Sequence, residues 1–214
     1  MDKRLVRRLK LQLLLPALLA AGLASAALAV EATPDAMIRR MSEQVLASAR
    51  ANQRVRAGDL RPTMALIDSE VMPNVDFQRM TAGAVGPAWR QASPQQRQQL
   101  QEQFKILLVR TYAGALSGLR NETISVQPQR MAASDIDVVV RTEIRGHGDP
   151  IQLQYRMERT PGQGAGWRIY NVNILGIWLV ETYRNQFVPE IQARGIDGLI
   201  AALAQRNRAN SASQ

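Results

Sequence analysis

Apolar side chains in the first half of the chain recur every three or four residues, which is the period of an amphipathic helix. Thr33-Pro34 offers an N-cap and a proline at the first helical position, and apolar residues follow at helical spacing from Ile38 to Ala49. A second stripe runs from Leu60 to Val71, behind Asp59 as a candidate cap, and Pro73 is expected to end it.

The sharpest local signal of a helix start is the run Ser93-Pro94-Gln95-Gln96. Ser93 can cap the helix, Pro94 suits its first position, and Gln96 can reach back to complete a capping box. Apolar residues on one face continue through Leu100 and Phe104, and the helix is expected to end near Gly118.

The second half of the chain changes to a period of two. Four segments alternate apolar and polar residues: Ile124 to Val126, Ile136 to Ile144, Ile151 to Met157, and Trp167 to about Leu175. Short turns and clean alternation predict an antiparallel meander with one solvated face. Its apolar face must be covered, and the helices are available to do so. The sequence therefore predicts an α+β fold, in which a four-stranded antiparallel sheet is covered on one face by mainly N-terminal helices together with C-terminal ones.

From about Gly176 the pattern becomes helical again. Gly195 suits the left-handed position after a helix, and Asp197 can cap a final helix that ends near Asn207. Residues 209–214 are predicted to be a disordered tail.

The N-terminus has the three parts of a secretory signal peptide. A basic stretch is followed by an apolar segment from Leu11 to Ala24 and by the small-x-small pattern Ala27-Leu28-Ala29, with Ala24-Ser25-Ala26 as an earlier cleavage option. The segment is nearly long enough for an uncleaved anchor, but its alanines and Pro16 favour cleavage. We therefore predict a signal peptide at residues 1–29, removed on export, and one soluble domain at residues 30–208.

Charge changes this picture little. The whole chain carries +9, and removing five Lys/Arg and one Asp with the signal peptide leaves (27 − 5) − (18 − 1) = +5. The excess is almost entirely arginine, scattered along the chain, with Lys105 as the one lysine after the signal peptide. Nucleic-acid binders usually cluster such charge. A solvated surface and attraction to anionic lipids both remain open.

The residues available for catalysis are few. There is no cysteine, no Gly-x-Ser-x-Gly motif occurs, and the single histidine, His147, lies in a glycine-flanked turn, so the sequence argues against a phospholipase-type enzyme, which would need a nucleophile and a base. One histidine without cysteine does not make a zinc site. The glycines of Pro161 to Gly166 join two strands, unlike a phosphate loop. Asp135 and Asp137 are interpreted as structural.

Apolar surface is what remains. The strand faces and helix stripes supply many aliphatic side chains, and eight methionines add adaptable surface. Periodicity alone does not separate a filled core from a cavity.

Several motifs together resemble the MlaC family of periplasmic lipid carriers, also known as toluene-tolerance proteins. The resemblance begins in the stretch Glu70 to Phe77 and continues through Gly86-Pro87-Ala88-Trp89-Arg90 and Tyr112 to Leu116. It is strongest in the C-terminal half, in Trp167 to Val172 and in the blocks Tyr183 to Phe187 and Gly195 to Leu199. Three positions depart from the family pattern, which commonly has Asp at Asn171, an acidic residue at Leu175 and a small polar residue at Trp178.

The resemblance implies an apolar cavity between sheet and helices that takes the acyl chains of a phospholipid. The cargo is the lipid, and neither a cofactor nor an enzymatic activity is expected. The implied partners are an inner-membrane ABC transporter complex with an MlaD-type ring and an outer-membrane MlaA-type lipoprotein bound to a porin. A cavity-free periplasmic adaptor remains the alternative.

Apolar residues that border the predicted sheet–helix space are the candidate lipid-binding residues. They are Val75, Phe77, Phe104, Leu108, Val138, Val140, Tyr155, Met157, Ile169, Val172, Ile174, Ile177 and Trp178. Both faces of the fourth strand carry apolar groups, so the face that lines the cavity is left open.

Overall fold

Helices precede and follow a run of strands in the computed structural model, which describes residues 32–112, 114, 121–128, 130–132, 134–146 and 149–212. The helices α1 to α6 span Pro34–Ala51, Gln53–Arg56, Leu60–Leu66, Phe77–Val85, Pro94–Tyr112 and Leu179–Ala212. The strands β1 to β5 span Thr123–Val126, Asp137–Arg145, Ile151–Arg159, Trp167–Ile174 and Ile177–Trp178. The predicted signal peptide 1–29, His147 and the expected helix end near Gly118 lie outside the described residues.

The strands form one antiparallel sheet in the order β1-β2-β3-β4-β5. This confirms the predicted α+β class and the meander. The prediction of four strands was wrong by one, because Ile177 and Trp178 pair with Ile174 and Asn173 as a short fifth strand instead of opening the last helix.

A tight turn explains the missed strand. Leu175 and Gly176 alone connect β4 to β5, and both have positive φ, 51° and 89°. A two-residue hairpin turn of type I′ requires positive φ at both central positions, which glycine and asparagine adopt easily and leucine does not. Because leucine is unusual at this position, the residue types alone did not predict the turn.

The predicted capping box opens α5. The Gln96 backbone N–H donates to the Ser93 hydroxyl at 3.1 Å, and the Ser93 backbone N–H donates to the Gln96 side-chain oxygen at 2.9 Å. Gln96 also donates to Asp197 on α6 at 2.7 Å, so the same residue ties the start of α5 to the last helix. The reciprocal box is confirmed.

The stripe from Leu60 to Val71 does not form one regular α-helix. α3 ends at Leu66, a π-helical segment covers Ile67–Val71, and a 3₁₀ turn, Met72–Asn74, contains Pro73 near its start, where a missing N–H costs least. Asp59 makes no side-chain cap to α3 and instead accepts a hydrogen bond from Arg54 at 2.7 Å. A second 3₁₀ turn, Gly86–Arg90, joins α4 to α5.

An aromatic cluster holds α4, α5 and α6 together. The Phe104 ring lies 4.9 Å from Tyr183, 5.3 Å from Phe187 and 5.7 Å from Phe77, measured between ring centroids. The contacts with Tyr183 and Phe187 are edge-to-face and the contact with Phe77 is stacked, and both arrangements add to the free energy gained by burying the rings. Below them, Val138, Met157, Ile169 and other buried residues of the sheet complete a filled core at one end of the domain.

The last helix is interrupted at Gly195, whose φ of 69° is positive as predicted, although its ψ of −175° lies outside the left-handed helical region. After this break the helix continues to Ala212, beyond the predicted end near Asn207 and into the segment predicted to be a disordered tail. No proline or glycine follows Gly198, so the two residue types that most often end a helix are missing from this part of the sequence. Among the described helices, none has the length and apolarity needed to cross a membrane.

Candidate functional site

An apolar cavity of about 330 Å³ lies between the helices and the inner face of the sheet. Its volume falls in the range of about 300–1,000 Å³ that small-molecule sites occupy. α1, α3, the π-helical segment, α4 and α5 form one side, and β1 to β4 form the other. The cavity lies at the end of the sheet where β2 ends and β3 begins, next to Ile144 and Ile151. The filled core lies at the opposite end.

The lining is almost entirely aliphatic and aromatic. Polar atoms enter it from Ser42, Thr63, Tyr112 and Tyr155, and Lys105 is the one charged residue among the lining residues that the structure describes. Burial raises the pKa of the Tyr155 phenol above its ordinary value, so this side chain is neutral across the physiological range. Such a lining suits an apolar ligand and offers few groups for chemistry.

Half-exposed lining residues mark where the cavity opens to solvent. On the helical side they include Val45 of α1, Ile67 and Val71 of the π-helical segment, Met72 directly after it, and Lys105 of α5. On the sheet side they include Ile144, Ile151, Leu153 and Ile174, which lie near the strand ends. The inner wall, with Met41, Val75, Met80 and Leu179, is buried. The mouth is therefore a mainly aliphatic rim, to which Lys105 adds one charged group.

A β-bulge determines which face of β4 lines the cavity. Tyr155 pairs with Val172 and Met157 pairs with Ile169, so the register shifts by one residue at Tyr170. Because Tyr155 and Met157 share a face of β3, Val172 and Ile169 share a face of β4 although three residues separate them. Both faces of β4 carry apolar residues in sequence because the bulge inverts the alternation halfway along the strand.

Six of the candidate residues line the cavity. They are Val75, Phe77, Leu108, Tyr155, Val172 and Ile174. Five others are buried in the packed core and do not line it. They are Phe104, Val138, Val140, Met157 and Ile169. The remaining two lie on β5, where Ile177 is 55% exposed and Trp178 stacks on the guanidinium of Arg156, 4.0 Å from its ring centroid. Contact of any of these residues with a lipid stays a prediction.

The candidate set missed most of the helical wall and the strand ends. The lining residues outside it are Met41, Ser42, Val45, Leu46, Thr63, Ile67, Val71, Met72, Met80, Lys105, Val109, Tyr112, Ile124, Ile144, Ile151, Leu153 and Leu179. The amphipathic pattern from Leu60 to Val71, which contains Ile67 and Val71, was the sequence signal that could have predicted one part of this wall.

The outer face of the sheet is polar and internally paired. Tyr170 donates to the two carboxylate oxygens of Asp137 at 2.7 and 2.9 Å. Burial and this carboxylate raise the pKa of Tyr170 to about 12. Arg79 lies over the Tyr170 ring, 3.7 Å from its centroid, and pairs with Glu158. Among the described residues, no group of three or more potential metal ligands is close enough to hold an ion.

Asn171 joins the sheet to the start of α6. Its side-chain oxygen accepts from the backbone N–H of Val180 at 3.1 Å, and its amide donates to Glu181 at 2.7 Å. Arg156 pairs with the same carboxylate. Burial opposes ionisation of Glu181, but the hydrogen bonds from Asn171 and Arg156 outweigh it and lower its pKa. An ionised aspartate at position 171 could not donate a hydrogen bond to Glu181. The asparagine can both donate to Glu181 and accept from Val180, and it thereby links β4 to α6.

Comparison with known proteins shows to which family the chain belongs. The family described as MlaC protein matches residues 39–205. The chain belongs to the MlaC family. It is 22% identical to the intermembrane phospholipid transport system binding protein MlaC of Haemophilus influenzae over 176 residues, covering 82% of each chain. It is 26% identical to the toluene tolerance protein ttg2D of Pseudomonas putida over 184 residues, covering 83% of this chain and 84% of that one.

A solved structure from the same family has the same fold. The phospholipid-binding protein from Ralstonia solanacearum, in complex with a phospholipid, superposes with a TM-score of 0.79 at 43% sequence identity. The match covers 84% of this chain and 99% of that one. The family resemblance deduced from the sequence is thereby confirmed.

Proposed function

We propose that this MlaC-family chain is a periplasmic carrier that shields the acyl chains of one phospholipid in the cavity and ferries it between the two membranes. The observation that carries the proposal is the aliphatic cavity of about 330 Å³ between sheet and helices. A protein of the same fold from Ralstonia solanacearum binds a phospholipid, and the relative from Haemophilus influenzae is named for intermembrane phospholipid transport.

The energetics favour enclosure over catalysis. Each methylene removed from water contributes about 0.8 kcal/mol, so a two-chain lipid in water is unfavourable by roughly 20 kcal/mol. A carrier that offsets most of this cost needs apolar walls and an opening, and both are features of this cavity. It needs no nucleophile, general base or metal.

Native mass spectrometry of the purified protein tests the proposal. We expect a species heavier than the polypeptide by the mass of one phospholipid, and chloroform–methanol extraction should release that lipid. A protein that is bare after gentle purification and takes up no lipid from vesicles would instead be an adaptor, and the carrier hypothesis would be wrong.

Export and partner docking belong to the same proposal. We expect the mature protein to start near Val30 or Ala27, because of the signal-peptide pattern at residues 1–29. N-terminal sequencing of the protein from a periplasmic extract checks this, and recovery of residues 1–29 in a membrane pellet contradicts it.

The carrier must meet a donor and an acceptor. We infer docking on an inner-membrane transporter complex with an MlaD-type ring and on an outer-membrane MlaA-type lipoprotein with its porin. Many of the arginines are exposed, so the contacts should be transient and weaken with salt. Pull-downs with each partner at low salt should retain the protein, and binding no greater than background to both would count against this inference.

A further inference from the structure

One ion pair spans the mouth of the cavity. The Lys105 ammonium on α5 donates to the Asp68 carboxylate at 2.7 Å, and Asp68 lies on the π-helical segment Ile67–Val71. Lys105 lines the cavity, as do Ile67 and Val71 on either side of Asp68. The pair therefore joins two walls of the cavity at its rim.

The ammonium is partly accessible at this position. The Lys105 side chain is 25% exposed and the Asp68 side chain is 49% exposed. The lysine stem runs along the apolar lining while its charged end reaches the rim, as lysines at apolar–aqueous boundaries do. Since no other charged residue lines the cavity in the part of the chain that the structure describes, the rim presents one cation.

We propose that Lys105 binds the phosphodiester of the bound phospholipid and exchanges Asp68 for it when the lipid enters. This inference rests on the proposed carrier function. With the acyl chains inside the cavity, the glycerol and phosphate come to the rim, where the ammonium stands. The phosphate replaces one anionic partner of Lys105 by another, so the cation is paired in both states.

The exchange sets a substrate class. Lipids with a phosphate at the glycerol are favoured over diacylglycerols with identical chains, because only the former offer Lys105 an anion. The gain is moderate, since the phosphate competes with Asp68 and the rim is open to solvent. A lysine suits this task because its ammonium is a compact, strongly hydrated charge that forms and releases single contacts, whereas an arginine would form a bidentate clamp.

A competition assay tests this assignment. Delipidated protein is incubated with vesicles that contain equal amounts of dioleoylphosphatidylethanolamine and dioleoylglycerol, and the bound lipids are extracted and quantified by mass spectrometry. Lys105→Met keeps the apolar stem and removes the charge, so we expect the phospholipid-to-diacylglycerol ratio to fall about three- to tenfold. Asp68→Asn removes the competing anion and should raise the same ratio.

Controls separate this effect from changes in fold and net charge. Arg141→Met removes one positive charge from an exposed position on β2 and should leave the ratio unchanged. Because the Lys105–Asp68 pair is partly exposed, both rim variants should melt within roughly 4 °C of the wild type. Lys105→Arg should retain most of the preference.

The outcomes distinguish the two proposals. If the wild type binds both lipids and Lys105→Met leaves the ratio unchanged, the role of Lys105 is wrong and the carrier function stands. If the wild type takes up neither lipid, both proposals are wrong. A fall with Lys105→Met together with a rise with Asp68→Asn supports the exchange.

Discussion

Two valines on either side of Tyr155 test where the filled core ends and the cavity begins. Val140 on β2 and Val172 on β4 are the cross-strand neighbours of Tyr155, and all three side chains share the inner face. Val140 is fully buried and does not line the cavity, whereas Val172 is half-buried and does. The substitutions Val140→Glu and Val172→Glu therefore place the same carboxylate in two different environments.

The expected costs differ by several kcal/mol. In the packed core a glutamate has no solvent and no cation, and burial of this kind raises a carboxyl pKa by about three units or more. At pH 7 that costs about 3–4 kcal/mol, and the lost valine packing adds about 1 kcal/mol, against a typical stability of about 5–15 kcal/mol. At Val172 the carboxylate can be hydrated through the mouth once the lipid has left, so the cost should stay below about 2 kcal/mol.

Thermal melting and lipid extraction on the same samples decide the matter. Val140→Glu should melt roughly 10–15 °C below the wild type, and the difference should shrink as the pH falls towards 5, because a raised pKa destabilises only where the unfolded chain is ionised. Val172→Glu should melt within a few degrees of the wild type and retain little phospholipid. If Val172→Glu unfolds like Val140→Glu, Val172 belongs to a filled core. If it folds and keeps normal lipid, the acyl chains do not pass it.

Three further predictions concern the framework around the site. Glu181→Gln should reduce the loss of stability that the wild type shows below about pH 4.5. The lowered pKa of Glu181 means that its ionised form stabilises the fold above that pH and that this stabilisation is lost as the pH falls. If the wild type and the variant lose the same amount of melting temperature on acidification, this reasoning is wrong. Ser93→Ala should cost about 0.5–2 kcal/mol in chemical denaturation, and no change would mean that the capping box contributes nothing. Leu175→Gly should raise the melting temperature by a few degrees, since glycine relieves positive φ at an exposed position, and a lower melting temperature would refute that reasoning.

The sequence predicted the sheet best where each strand has two distinct environments. β2 and β3 alternate between a buried inner face and a polar outer face, so their period of two is unbroken. β5 escaped prediction because two residues give almost no period and because a leucine occupies a turn position that glycine or asparagine usually fills. A reversal of the chain is predicted from the residue types that favour turns, and this turn has leucine at a position where those types are expected.

Residues that line the cavity were harder to distinguish from core residues by sequence, and the reason is physical. Phe104 and Leu108 lie one helical turn apart on α5, and both are apolar, yet Phe104 packs in the aromatic cluster and Leu108 lines the cavity. A hydrophobic stripe shows that a side chain leaves water, and it does not show whether protein atoms or a ligand will cover it. The volume between two surfaces depends on how far apart the elements pack, which no period along one element encodes.

The bulge at Tyr170 connects these observations. Without the register shift, β4 would direct Trp167, Ile169, Asn171 and Asn173 to the same face, and two buried amides would enter the apolar space. With it, Val172 and Ile174 line the cavity, while Asn171 holds the start of α6 through Val180 and Glu181. A single extra residue thus lets one strand contribute to the filled core at its beginning and to the cavity wall at its end. The outward amide of Asn171 thus anchors the helix whose first residue, Leu179, forms part of the inner wall, and the Asn173 side chain accepts from the Gly176 N–H in the turn before it.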